Sequence, residues 1–247
     1  MTRLESFCKP CNAAIVGGSG GIGSAFLRLL DKDPRIGRLL AFSRSPVAVD
    51  TRASSHRMDI CDESSVKAAA DFAAEAAPLD LVIVATGALH LGTALQPEKS
   101  LRELTARNLE QLLRINTIGP MLVAKHFLPL LRRNHKAVFA VLSARVGSIG
   151  DNRLGGWYSY RMSKAALNMG VRGLSIEQAR RAPHTVVVAL HPGTVATGLS
   201  KPFSARVPAD SLFDTEFSAT RLLEVIDTLC EADSGGFFAW DGSRIEY

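Results

Sequence analysis

One stretch limits the possible folds more than any other. Ala13, Ala14, Ile15 and Val16 run directly into Gly17-Gly18-Ser19-Gly20-Gly21-Ile22-Gly23, and residues 24–30 then carry apolar side chains at helical spacing. A short continuous apolar run closed by glycines reads as a buried strand, so the chain opens strand, glycine loop, helix. The start of a helix presents N–H groups with no intrahelical partner and the positive end of the helix dipole. Together these suit an anion such as a phosphate. On this reading Gly17 permits the tight turn, Gly21 lets the backbone approach a pyrophosphate, and Gly23 lets helix and strand pack closely. The loop therefore predicts a nucleotide site.

The same alternation continues along the chain. Apolar runs at 39–42, 81–84, 137–142, 185–190 and 236–239 predict further strands, 55–58 is a candidate short third strand, and helical patterns cover 63–77, 100–133, 160–181 and 218–231. Pro78 and Pro183 stop two of these helices, and Pro120 predicts a kink or break inside the long one. The strands are continuously apolar, as expected when both faces are covered. This order builds a doubly wound parallel sheet with helices on both faces, a Rossmann-type α/β fold of about seven strands. We expect a single domain over residues 1–247, and 47% hydrophobic residues supply an ample core.

A net charge of +5 is not gathered into a stripe; the longest basic runs are Arg132-Arg133 and Arg180-Arg181. No nucleic-acid partner is expected. The first six residues lack the apolar region of a secretory signal, and no apolar stretch reaches membrane-spanning length. The expectation is a cytoplasmic protein with no membrane partner. Cys8-Lys9-Pro10-Cys11 has redox-dithiol spacing but precedes a strand instead of opening a helix. The histidines offer no zinc spacing, so no metal is expected.

Tyr160 and Lys164 stand one turn apart in Trp157-Tyr158-Ser159-Tyr160-Arg161-Met162-Ser163-Lys164, so on a helix they share a face. A cation within a few Å lowers a phenol's pKa from its ordinary value of about 10. Reaching about 7 takes roughly 4 kcal/mol of differential stabilisation. One lysine would struggle to supply that; a cationic cofactor ring could add the rest. The pair predicts a proton donor and acceptor near neutral pH.

Taken with the Gly-x-x-x-Gly-x-Gly spacing of the first loop, Tyr160-x-x-x-Lys164 resembles the short-chain dehydrogenase/reductase family. Met58-Asp59-Ile60 resembles that family's adenine-contacting segment. Asn116, in Ile115-Asn116-Thr117-Ile118-Gly119, resembles its active-site asparagine. Pro192-Gly193-Thr194-Val195-Ala196-Thr197 resembles the segment holding the nicotinamide end. The resemblance covers nearly the whole chain. Ser143-Ala144-Arg145-Val146-Gly147-Ser148-Ile149 and Gly155-Gly156-Trp157-Tyr158-Ser159-Tyr160 are similar to the branch containing C-factor signalling proteins and sniffer-type carbonyl reductases.

The resemblance implies reversible hydride transfer between a nicotinamide cofactor and a carbonyl or secondary alcohol. Tyr160 would exchange the proton. Lys164 would lower its pKa and bind the nicotinamide ribose, Ser143 would steady the substrate oxygen, and Asn116 would hold a water linking Lys164 to solvent. Cofactor contacts are implied for Gly17, Ser19, Gly20, Gly21, Ile22, Gly23, Ser43, Arg44, Asp59, Ile60, Ala85, Thr86, Gly87, Pro192, Gly193, Thr194, Val195 and Thr197. A homodimer or homotetramer is also implied. Ala165, Ala166 and Gly170 would allow close helix packing, which burial within one subunit explains equally well.

Two departures stand out. Ala85-Thr86-Gly87 replaces the family's Asn-Asn-Ala-Gly. The family's serine position, three residues before Gly147, is Ala144, with Ser143 one step away and so nominally on the other face of the strand. Ser143 at a bent strand end, Ser148, or Tyr160 alone could polarise the carbonyl. After the second strand stands Ser43-Arg44-Ser45, with no acid until Asp50. An arginine there suits the 2′-phosphate of NADP, where NAD binders place an acid. Residues 89–96, 150–157 and 199–210, the last a plausible lid with Pro202 and Pro208, should shape the substrate site. Their small, apolar character points to a hydrophobic carbonyl compound, with 151–156 an extra loop near its mouth. The alternative is a nucleotide-bound signalling or scaffold protein with little turnover, which the displaced serine favours.

Overall fold

The computed structural model describes residues 4–45, 47, 50–75, 78–202 and 212–247. In chain order the strands and α-helices are β1 (Cys11–Val16), α1 (Gly21–Asp31), β2 (Ile36–Ser43), β3 (Ser54–Arg57), α2 (Glu63–Ala74), β4 (Leu81–Val84), α3 (Ala106–Leu113), α4 (Gly119–Phe127), β5 (Ala137–Leu142), α5 (Tyr158–Arg181), β6 (Thr185–His191), β7 (Thr194–Val195), β8 (Leu212–Phe213), α6 (Thr215–Thr228) and β9 (Phe237–Ala239). Seven strands form one sheet in the order β3-β2-β1-β4-β5-β6-β9, every pair parallel. The order reverses at β1, so β1 and β4 flank the switch point where open α/β sheets bind ligands.

The strand sequences explain the two covered faces. Successive side chains alternate between faces. Ala14, Val16, Val82, Val84, Phe139 and Val141 pack against α2, α4 and α5 through Val66, Phe127 and Leu167. Their neighbours Ala13, Ile15, Leu81, Ile83, Val138 and Ala140 pack against α1 and α6 through Phe26, Leu30, Leu222 and Ile226. Phe127 is fully buried, with its ring 5.3 Å from that of Phe42 in a T-shaped pair.

The long helical pattern at 100–133 is subdivided. A 3-10 turn (Leu101–Glu103) precedes α3, and a π-turn (Arg114–Ile118) joins α3 to α4. Pro120 explains the irregularity: it has no N–H to give the carbonyl four residues back, that of Asn116, and the chain adopts the wider Gly119 N–H to Arg114 carbonyl pattern instead. Helix α6 starts earlier than its apolar pattern, at Thr215, because Asp214 caps it by accepting from the Phe217 N–H at 2.7 Å. The small β7–β8 ribbon has no signal in the sequence. Of the expected lid, residues 203–210 lie outside the described residues.

Candidate active site

Two connected cavities open at the carboxyl ends of the strands, one of about 440 Å³ and one of about 920 Å³. They share Gly20, Ala85, Thr86, Gly87, Leu89, Gly198 and Leu199 as common wall.

The smaller cavity is built largely from backbone. Gly17 turns with φ +91°, and a Cβ there would sit 3.0 Å from the Ala85 carbonyl. The Gly20 N–H donates to the Gly17 carbonyl at 2.9 Å, closing the loop. A Cβ on Gly23 would lie 2.1 Å from the Gly17 oxygen, so helix start and turn touch directly. A Cβ on Gly21 would meet the Thr197 methyl at 3.0 Å. No side chain caps α1, which leaves its first N–H groups for an external acceptor. Ser19, Gly20, Arg44, Asp59 and Ile60 line this cavity. Arg44 is exposed. Ser43 lines the cavity too, and its hydroxyl donates to the Ser45 carbonyl, shaping the turn. The Asp59 carboxylate likewise accepts from the Cys61 N–H at 2.9 Å.

The larger cavity is built from side chains. Tyr160, Lys164 and Ser143 line it together with Ile22, His191, Pro192, Gly193, Thr194, Val195 and Thr197. Tyr160 and Lys164 project from one face of α5 and are 6% and 3% exposed. The Lys164 ammonium donates to the Leu142 carbonyl at 2.9 Å, and burial pulls its pKa down to about 8. Tyr160 packs among Ala88, Leu89, Leu95 and Leu112. Burial pushes its phenol above the ordinary range. Desolvation is the cause of that shift, and it adds to the stabilisation that Lys164 and a bound cationic ring would have to supply together.

The serine question has a geometric answer. Beyond β5 the chain bends into a 3-10 turn (Arg145–Gly147), and both Ser143 and Ala144 face the cavity. Ser143 is held by its hydroxyl, which donates to Asn168 Oδ1 at 2.7 Å. Ser148 does not line the cavity; its hydroxyl accepts from the Asp151 N–H at 3.0 Å.

Asn116 sits in the π-turn, fully buried. Its Oδ1 accepts from the Ala88 N–H at 2.8 Å, while its Nδ2 donates to the Ala88 carbonyl at 2.8 Å and to Ser163 Oγ at 3.0 Å. The amide is thus consumed in clamping the end of β4. The Asn116 Oδ1 and Lys164 Nζ both lie 3.4 Å from the Cβ position of Gly87, so they flank one point.

Two side chains with no motif complete the site. The Glu98 carboxylate, 2% exposed, takes the Ser159 N–H at 3.2 Å and the Ser159 hydroxyl, a negative charge at the start of α5. The Glu98 carbonyl takes the Trp157 N–H at 2.5 Å, holding Trp157 at φ 49°, an uncommon conformation for a bulky residue. The Trp157 ring then meets Tyr160 edge-on at 6.4 Å. Asn168 had a weak signal, since Tyr160, Lys164 and Asn168 repeat every four residues. Glu98 had none.

The family model for short chain dehydrogenase matches residues 12–207. The chain belongs to the short chain dehydrogenase family. A dehydrogenase of Rhodococcus sp. (strain AD45), 1-hydroxy-2-glutathionyl-2-methyl-3-butene dehydrogenase, is 33% identical over 235 residues, covering 94% of this chain and 98% of the relative. The C-signal of Myxococcus xanthus is 41% identical over 133 residues, 54% of this chain and 75% of that protein. Among solved structures, NADPH-bound carbonyl reductase from chicken fatty liver superposes with a TM-score of 0.82 at 25% identity, covering 98% of this short chain dehydrogenase and 96% of the other chain. Both sides of the expected branch, C-factor and carbonyl reductase, are therefore represented. No helix among the described residues is long and apolar enough to cross a membrane.

Proposed function

We propose that this oxidoreductase uses NADP(H) to interconvert a carbonyl compound and its alcohol, with Tyr160 as the proton donor and acceptor. The observation that carries the reading is the meeting of Tyr160, Lys164 and Ser143 in one cavity that joins the glycine-loop cavity through Gly20 and Gly87. The uncapped start of α1, the close turn at Gly17 and the exposed Arg44 fit a phosphorylated dinucleotide. The nicotinamide cofactor, when bound, supplies the hydride and, in its oxidised form, a cationic ring.

The remaining steps belong to the chain. Ser143 orients the substrate oxygen; its one O–H turns from Asn168 Oδ1 to that oxygen when substrate is bound. Tyr160 gives that oxygen a proton in reduction and removes it in oxidation. Lys164 keeps a positive charge close to the site, and Asn116 holds the β4 end against α5. A positive charge from outside the chain is needed to offset the upward push of burial on the phenol. Arg44 supports NADP over NAD, as does the NADPH in the chicken-liver relative. The likeness to C-signal favours a second reading, a nucleotide-bound signalling protein with little turnover. Assembly into a homodimer or homotetramer remains part of the proposal; Gly170 itself is accounted for within one chain, since a Cβ there would meet Met121 Sδ at 2.6 Å.

The test is NADPH oxidation with a panel of aldehydes, ketones and quinones. Turnover that disappears in Tyr160→Phe supports the enzyme. NADPH binding without turnover of any of them supports the signalling reading.

A further inference from the structure

The charge lining the larger cavity is one-sided. Among the described residues it holds Arg145, Arg153, Arg161 and Lys164 against a single carboxylate, Asp151. Lys164 is committed to the Leu142 carbonyl, and Arg145 pairs with Asp151 at 3.1 Å. Arg153 and Arg161 are left without a counter-charge. Arg153, on the 151–156 loop, is exposed and makes no ion pair or hydrogen bond among the described residues. Arg161, partly buried, donates from Nε to the Gly155 and Gly156 carbonyls at 3.1 and 3.0 Å and from Nη1 to the Val146 carbonyl at 3.2 Å. All three acceptors are neutral. These bonds pin the guanidinium in place one residue from Tyr160, and a partly desolvated cation without an anion is costly until one arrives. Among the described residues, the other acids around this end stand outside the cavity: the Glu98 carboxylate is taken up by Ser159, Glu246 reaches towards Gly150, and Asp241 acts on His191.

We propose that the substrate carries a carboxylate, which docks on Arg153 and Arg161 while its carbonyl end reaches Tyr160. Placing the carbonyl rests on the proton-donor reading above; the anion site itself does not. The hydrophobic substrate expected from the sequence describes the wall of Leu154, Trp157 and Leu199 and misses this rim. Arginine pairs with a carboxylate through two parallel, charge-assisted hydrogen bonds, so the site would select acids over their esters.

The experiment compares para-formylbenzoate with its methyl ester. Dissociation constants are measured by calorimetry with and without NADPH, and kcat/KM by NADPH oxidation. The expected result is a preference for the acid of about tenfold in both measures, equivalent to about 1.4 kcal/mol. Arg153→Gln should abolish most of it. Asp151→Asn, which releases Arg145, should enlarge it. Equal values for acid and ester, or a ratio unmoved by Arg153→Gln, overturn the anion site and leave the proton-donor reading intact. Arg153-dependent binding of the acid with no turnover of either compound does the reverse.

Discussion

The two halves of this candidate active-site cleft are made from different materials. The glycine-loop half is formed by backbone that is contiguous in sequence: Gly17 to Gly23, with Gly17 turned against Ala85. The half around Tyr160 is formed by side chains drawn from far apart. Glu98 meets Ser159, Asn116 meets Ala88 and Ser163, and Ser143 meets Asn168. A site made of local backbone is specified by its residue types alone. One made of distant side chains exists only once the sheet has aligned its strand ends.

The contrast predicts where each half is fragile. Gly23→Ala should have the largest effect, because its methyl would stand 2.1 Å from the Gly17 oxygen. The loop should fail to form, with no measurable NADPH affinity by fluorescence titration and at least the ~1–3 kcal/mol loss typical of overpacking. Normal affinity in that variant would break the idea of a backbone-defined half. Glu98→Ala is the matching lesion in the other half. It leaves the Ser159 N–H and hydroxyl without their acceptor, so unfolding should become easier by about 1–3 kcal/mol. kcat should fall more than NADPH affinity, and Glu98→Gln should recover much of it. If kcat and NADPH affinity fall together, Glu98 serves folding in general and not the placement of Tyr160.

Arg44→Ala tests the one side chain proposed to matter in the glycine-loop half. NADPH should bind about tenfold more weakly, about 1.4 kcal/mol, with NADH affinity unchanged; an equal loss for both cofactors would show that Arg44 does not read the phosphate. The smallest effect concerns pH. Burial, reinforced by Arg145 and opposed by Asp241, holds His191 down at about 4 against an ordinary 6.5. The unfolded chain therefore takes up this proton first as acid is added. Its stabilising contribution is complete above pH 6.5 and is lost as the pH falls towards 4. Urea midpoints should drop across that window, and less steeply in His191→Gln.

Most of the sheet could be read from sequence because its inner strands are continuous apolar runs with both faces covered, as 81–84 illustrates, whereas β3 is polar and mostly exposed. Tyr160, Lys164 and the glycine loop were equally legible, being short-range patterns. The π-turn was half visible: Pro120 announced a break but not that Asn116 would spend its amide on Ala88. The burial of Tyr160 was not legible, because a four-residue spacing carries no information about it. That the Ser43 hydroxyl would be donated to the Ser45 carbonyl was not legible, since it depends on the turn. Glu98 was invisible, since its meaning depends on a helix start 61 residues away.

The central claim is that Tyr160 moves the proton. It is tested most directly by single-turnover oxidation of bound NADPH in Tyr160→Phe and wild type, with NADPH affinity measured on the same samples. The account predicts a loss of about 10²–10⁴-fold in the rate, the range for a general acid, with affinity kept within about twofold. A Tyr160→Phe protein that transfers hydride at the wild-type rate would contradict it.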